Sequence, residues 1–144
     1  MTIYFEDLTV GDTDEFGSYD VTEAEILEFA GQYDPQPFHT DPEAAAETIY
    51  GGLIASGWHT CAMTMRLLVD NHFAESAAMG ARGVEELRFP RPVRPGDSLS
   101  VRTEVREKTV DSADRGTVRV RSETVNGDGE VVLSMTSDVL YARR

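Results

Sequence analysis

The amino-acid sequence predicts an α+β fold in which a curved antiparallel β-sheet wraps around one long central α-helix, and three observations point to it. The first half of the chain is punctuated by helix starts and stops, whereas the second half changes period. There Leu99, Val101, Thr103 and Val105 alternate with polar neighbours, as do Val118, Val120 and Ser122, and then Leu133, Met135, Ser137, Val139 and Tyr141. Between the halves lies a stretch from about Gly57 to Phe73 in which Cys61, Ala62, Met63, Met65, Leu67, Leu68 and Val69 are apolar on most sides, the pattern of a helix enclosed by other structure. At 144 residues, with no internal repeat, low-complexity tract or linker, the chain reads as a single domain, 1–144.

Taken in order, residues 3–19 read as a lead-in loop and a strand, with Gly11-Asp12 turning into TDEFGSYDV. Thr22 opens a helix, because Thr22 and Glu25 have the capping-box spacing and Ile26, Leu27, Phe29 and Ala30 supply an apolar face before Gly31 closes it. The segment DPQPFH is expected to be a loop, since Pro35 and Pro37 exclude regular helix and push Asp34 and Gln36 toward extended backbone. Asp41 then caps a second helix with Pro42 in its first position, running through EAAAET to Gly51-Gly52. Ser56 caps the long helix. Glu85 to Phe89 is expected as a strand ended by Pro90 and Pro92, and Arg94-Pro95-Gly96-Asp97 as a tight turn into the next. DSADRG (111–116) and NGDG (126–129) separate the remaining strands, the latter with an Asn-Gly hairpin signal.

Composition excludes several classes of function. The net charge is −13, with 26 acidic residues against 13 basic ones, so no nucleic-acid backbone and no anionic membrane surface is an expected partner. Lys108 is the only lysine. An acidic, lysine-poor surface fits a protein kept soluble in concentrated salt, and compositional drift produces the same pattern. The lone Cys61 leaves no internal disulfide, and His39, His59 and His72 lack the clustered spacing of a metal site, so neither metal nor cofactor is expected. No apolar run approaches the roughly 20 residues that span a bilayer, and MTIYFEDLTVGD lacks the basic start of a signal peptide, so a soluble, cytoplasmic protein is expected.

The candidate chemistry lies in residues 33–60. Asp34 and His39 stand five residues apart on a proline-braced bend that can bring both toward one water, a carboxylate to accept a proton and an imidazole to donate one. The same pair also fits a plain loop brace. Gly57, at the start of the long helix, would offer a free backbone N–H to a carbonyl oxygen gaining negative charge. Gly51 and Gly52 permit close approach of a ligand or merely stop a helix. Phe38, inside the active loop, is a candidate substrate contact with Gly52, Ser56 and Trp58, whereas Trp58, Met63 and Met65 fit either an acyl pocket or plain core. His59 is expected to pack or to face solvent. Arg88, Arg91 and Arg94 form a local basic cluster that fits either phosphate binding or a solvated turn.

Asp34-Pro-Gln-Pro-Phe-His39, then Asp41-Pro-Glu-Ala-Ala and Gly51-Gly-Leu-Ile-Ala-Ser-Gly57, resembles the hydratase signature of the MaoC-like, or (R)-specific enoyl-CoA hydratase, family. Gln36 stands where that pattern has Asn and Phe38 where it has an aliphatic residue, and FPRPVRPGDSL at 89–99 extends the likeness. The resemblance implies a hot-dog fold whose subunits pair their sheets into a homodimer or a dimer-based oligomer. It also implies an acyl-CoA or acyl carrier protein thioester as substrate. Asp34 and His39 would activate water at C3 of a trans-2-enoyl thioester and exchange a proton at C2, while the Gly57 amide polarises the carbonyl. A supporting serine is expected about two turns into the long helix, where this chain has Met65, and Thr64 beside it is expected to face elsewhere. The competing readings are an acyl-CoA thioesterase, which hot-dog folds also host, and a non-catalytic acyl-CoA-binding protein.

Overall fold

A computed structural model describes all residues, 1–144, and contains five strands and four α-helices. The order is β1 (Thr13–Asp20), α1 (Glu23–Tyr33), α2 (Pro37–Thr40), α3 (Pro42–Ala46), α4 (Gly57–Asn71), β2 (Ala78–Arg88), β3 (Ser98–Val110), β4 (Arg115–Val125) and β5 (Val131–Ala142). The strands form one antiparallel sheet in the order β1-β3-β4-β5-β2, and α4 lies against its concave face. This is the sheet-around-helix arrangement that the period change and the long apolar segment predicted, and the hot-dog fold that the family resemblance implied.

Helix α4 carries Gly57 and the β-branched Thr60, Thr64 and Val69, so packing rather than intrinsic propensity stabilises it. Met63, Leu67 and Leu68 join Leu99 and Val101 of β3 and Val132, Leu133 and Met135 of β5 in the main core, each large buried side chain contributing about 1.5–3 kcal/mol. One polar tie crosses this interface. The Thr64 hydroxyl lies 2.8 Å from Thr60 O and 2.7 Å from the Thr124 hydroxyl, and both threonines are fully buried.

The helix is not apolar and enclosed on most sides, as its sequence suggested. His59, Thr60, Met63, Thr64, Leu67 and Leu68 are buried, while Trp58, Met65 and Val69 form an exposed stripe at seven- and four-residue spacing. A smaller cluster of Phe5, Val105, Val118, Val139 and Tyr141 closes the far end of the sheet.

Several boundaries differ from those read in the sequence. Helix α1 runs through Gly31 to Tyr33, because Gly31 is exposed with open space around it and the helix stops only before Pro35. The Thr22 hydroxyl accepts the Glu25 N–H, but the Glu25 side chain turns away from the cap, leaving half a capping box. The segment expected as pure loop contains the single turn α2, since Pro37 occupies the first helical position, where no N–H is needed. Asp41 caps α3 through Glu43 N and Ala44 N, yet α3 ends at Ala46 rather than at Gly51-Gly52.

Strand β2 begins at Ala78, well before Glu85. It is an edge strand, exposed at most positions and interrupted by three register shifts, so no alternation marks it. In the 126–129 turn the left-handed residue is Gly129 (φ 77°) rather than Gly127, with Gly129 N–H donating to Asn126 O.

Candidate active site

The site is assembled where α1 ends, α2 turns and α4 begins. Asp34 caps the C-terminus of α1, its N–H donating to Ala30 O at 2.8 Å. Pro35 prevents further helix, Gln36 is extended, and the single turn α2 swings His39 back over the carboxylate. His39 Nε2 comes to 3.4 Å from Asp34 Oδ2. The other ring nitrogen, Nδ1, lies 2.8 Å from Ile54 O. A carbonyl only accepts, so Nδ1 carries a proton, and Nε2 is the ring atom turned toward Asp34. Nε2 and Oδ2 stand just beyond hydrogen-bond distance of each other, so one water can reach both.

Asp34 is anchored at both oxygens: the Ser56 hydroxyl donates to Oδ2 at 2.7 Å and the Gln36 amide to Oδ1 at 2.6 Å. Ser56 and then Gln36 hold the carboxyl below its ordinary range, His39 adding a smaller pull against the opposing effect of burial. The side chain is 18% exposed and that of His39 is 6%, so the carboxylate edge is the more open of the two.

Ser56, expected among the substrate contacts, is instead fully buried; its one proton goes to Asp34 and its oxygen accepts Trp58 N–H at 3.3 Å. It also takes the place of the support expected at position 65. Met65 is half-exposed on the outer face of α4 and touches nothing of the dyad, so the carboxylate does not lack a serine; the serine stands at the helix cap. Thr64 does face elsewhere, toward Thr124.

The Gly57 N–H, first of α4, makes no hydrogen bond within the protein and is one residue from the Asp34 anchor. A Cβ at Gly57 would lie 2.8 Å from the Phe89 ring, so only glycine fits beneath that side chain. Phe38 is half-buried, its ring edge-on to His39 at 4.4 Å and 5.9 Å from Tyr50. At Gly52 a Cβ would meet only the Arg94 guanidinium, at 3.6 Å, and Arg94 donates to Tyr50 O at 2.7 Å.

Trp58 is not gathered at the dyad; it is 65% exposed on the outer stripe. Met63 is core. Arg91 pairs with Glu130 at 3.1 Å, whereas Arg88 has no ion-pair partner. Sequence reasoning missed the Gln36 and Ile54 contacts. The amide two residues after Asp34 was a legible signal for the first, and nothing local marks the second.

A cleft of about 690 Å³ lies elsewhere, between α1 and α4, and is lined by residues including Tyr19, Glu25, Phe29, His59, Met63 and Arg66. None of Asp34, His39 or Gly57 lines it. No helix is long and apolar enough to cross a membrane.

A long helix packed against one antiparallel five-stranded sheet defines the class as a hot-dog protein. The chain belongs to the MaoC-like dehydratase family: the profile of the MaoC like domain matches residues 8–126. The crystal structure of a MaoC-like dehydratase from Rhodospirillum rubrum superposes with a TM-score of 0.90 at 46% identity, covering 99% of this chain and 98% of that one. The uncharacterized protein YdeM of Bacillus subtilis is 31% identical over 96% of this chain and 98% of its own length. The 3-hydroxybutyryl-CoA dehydratase of Methylorubrum extorquens is 33% identical over 73% of this chain and 65% of its own.

Proposed function

We propose that this protein interconverts a trans-2-enoyl thioester and a 3-hydroxyacyl thioester. The observation that carries this reading is the mutual arrangement of Asp34 Oδ2 and His39 Nε2, 3.4 Å apart, near the unengaged Gly57 N–H. A water held beside the two, within reach of both, loses a proton to the pair as its oxygen bonds to C3. The C2–C3 π electrons move toward the carbonyl, and the resulting enolate oxygen is held by Gly57 N–H at the positive end of α4. The pair then returns the proton to C2, so water is added across the double bond and the protein ends as it began. Dehydration is the same path reversed.

The Ser56 and Gln36 hydrogen bonds support this by keeping Asp34 ionised and aimed. Phe38 and Gly52 border the site as substrate contacts. Arg88, Arg91 and Arg94 flank the Phe89 segment that covers Gly57 and supply positive charge for an anionic carrier, coenzyme A or acyl carrier protein. The working unit we infer is a homodimer, formed over the unpaired outer edge of β2 and the exposed Trp58, Met65 and Val69.

Purified protein incubated with crotonyl-CoA is expected to remove the enoyl absorbance, and Asp34→Asn and His39→Gln each to lower kcat by about a thousandfold or more. Thiol release without loss of the double bond would replace this reading with a thioesterase. No turnover across a series of enoyl chain lengths would overturn it in favour of binding alone.

A further inference from the structure

A second group of titratable side chains lies outside the proposed chemistry, at the floor of the cleft between α1 and α4. His59, 2% exposed, points Nε2 at Glu25 Oε1 at 3.0 Å and stacks on Phe29 with ring centroids 4.6 Å apart and planes 9° from parallel. The Tyr19 hydroxyl donates to the same Glu25 oxygen. Burial opposes the Glu25 charge, but the Tyr19 and His59 hydrogen bonds outweigh it and hold the carboxyl below its usual range. Burial and the bond to Glu25 push Tyr19 up to about 12, so it stays a hydrogen-bond donor.

Two features show that this is more than packing. His59 Nδ1 is buried with no hydrogen-bond partner, a cost that an apolar residue stacked on Phe29 would not carry. The backbone is also arranged to deliver Tyr19. A bulge between Phe16 and Tyr19 breaks the pairing of β1 with β3, and Gly17 inside it has φ 90°. A Cβ on Gly17 would sit 2.6 Å from Leu67 Cδ2, so the strand presses against α4 where the bulge turns Tyr19 toward Glu25.

The position of the trio explains its use. Only two hydrogen-bonded ties join the α1 segment to the start of α4: Asp34 with Ser56 at one end, and Glu25 with His59 at the other. Glu25 and Asp34 are nine residues apart, a lever of about 13 Å at the helical rise. His59 is three residues beyond Ser56 and two beyond Gly57, on the same first turns of α4.

We propose that Tyr19, Glu25 and His59 form a positioning clamp that fixes α1 against α4 and thereby sets where the Asp34 carboxylate stands relative to the Gly57 amide. These are positioning residues and touch no substrate. The clamp's bearing on rate rests on the hydratase reading, whereas its bearing on Asp34 does not.

The test is therefore read in two ways on the full chain. Glu25→Leu removes both bonds while filling similar space, and Tyr19→Phe removes one hydroxyl and serves if Glu25→Leu fails to fold. The Asp34 carboxyl is titrated by 13C NMR without substrate, and kcat and KM are measured with crotonyl-CoA. The clamp predicts that the Asp34 titration moves up toward an ordinary carboxylate in both variants, further in Glu25→Leu. It predicts that kcat in Glu25→Leu falls about tenfold or more with KM within about twofold of wild type. Glu25→Gln, which retains an acceptor oxygen, is expected to recover part of both.

An unmoved Asp34 titration in folded Glu25→Leu overturns the proposal, whatever happens to the rate. A moved titration with wild-type kcat overturns the link to catalysis. If the wild-type protein does not hydrate enoyl thioesters, the functional reading fails, and the titration still decides the clamp.

Discussion

Replacing Ser56 by alanine tests the support of the carboxylate most directly. The substitution removes one oxygen and nothing else from a fully buried position. That oxygen makes a 2.7 Å bond to Asp34 Oδ2 and accepts Trp58 N–H as the cap of α4. A hydrogen bond to a charged group contributes about 1.5–3 kcal/mol and a helix cap about 1 kcal/mol. Because one hydroxyl serves both and Asp34 keeps Gln36 and some solvent, a stability loss of about 2 kcal/mol is expected, a fall in Tm of about 4–8 °C.

If Asp34 works only when aimed, most of the charged bond is also lost from the transition state, and kcat falls about tenfold to a hundredfold with little change in KM. The acid limb of stability moves as well. Asp34 titrates below its ordinary value in the folded protein, so its contribution is present above the unfolded value near 3.9 and is lost as pH falls through the folded one. In Ser56→Ala the folded value rises and that contribution shrinks. Enoyl-CoA hydration kinetics, thermal melts from pH 3 to 7 and 13C titration of Asp34 measure all three. A Ser56→Ala protein with wild-type kcat and an unmoved Asp34 titration would refute the reasoning.

Three other substitutions probe the packing around the site. In Gly57→Ala the new methyl meets the Phe89 ring at 2.8 Å, so about 1–3 kcal/mol of stability and most activity are expected to go; Phe89→Leu in the same chain restores the melt if the clash is the cause. Thr64→Val strands the buried Thr124 hydroxyl and is expected to cost about 1–3 kcal/mol by urea denaturation, whereas Thr64→Val with Thr124→Val costs less than the single change. Burial lowers the His72 pKa against a smaller opposing pull from Asp14. The stability from its neutral form therefore begins to fade below about pH 6.5 and is lost as pH falls through the folded value. His72→Gln keeps a partner for the Tyr141 hydroxyl, 2.6 Å away in the wild type, and is expected to flatten that part of the stability–pH curve.

The sheet was legible because the apolar residues of β3 and of the second half of β5 alternate, Leu99, Val101 and Val105 and then Val139 and Tyr141 being buried, and that alternation records the pleat directly. At Val132–Met135 β5 is buried at successive positions. Strand β2 was half missed for the converse reason: an exposed edge with Gly80 and Gly83 has no face to record. Helix α1 outran Gly31 because a glycine stops a helix only when the backbone turns left-handed there, and this one does not.

Within the site, Asp34, His39 and Gly57 stood out by residue type and spacing. The bond from Ser56 to Asp34 spans 22 residues and depends on how α1 and α4 cross, which no local pattern encodes. The expectation of a serine at Met65 counted along the helix; the hydroxyl arrives instead at the cap, where the chain comes nearest the end of α1.

Every group assigned to the reaction falls within one continuous stretch, 34–57, tied to the rest of the chain by Ala55 N–H to Val93 O, Arg94 to Tyr50 O, the Phe89 ring on Gly57, and the core seats of Ala45, Leu53 and Ala55. Such a stretch is portable. Grafting 34–57 onto another helix-in-sheet scaffold would call for matching these contacts and core seats together with the Glu25–His59 tie between α1 and α4.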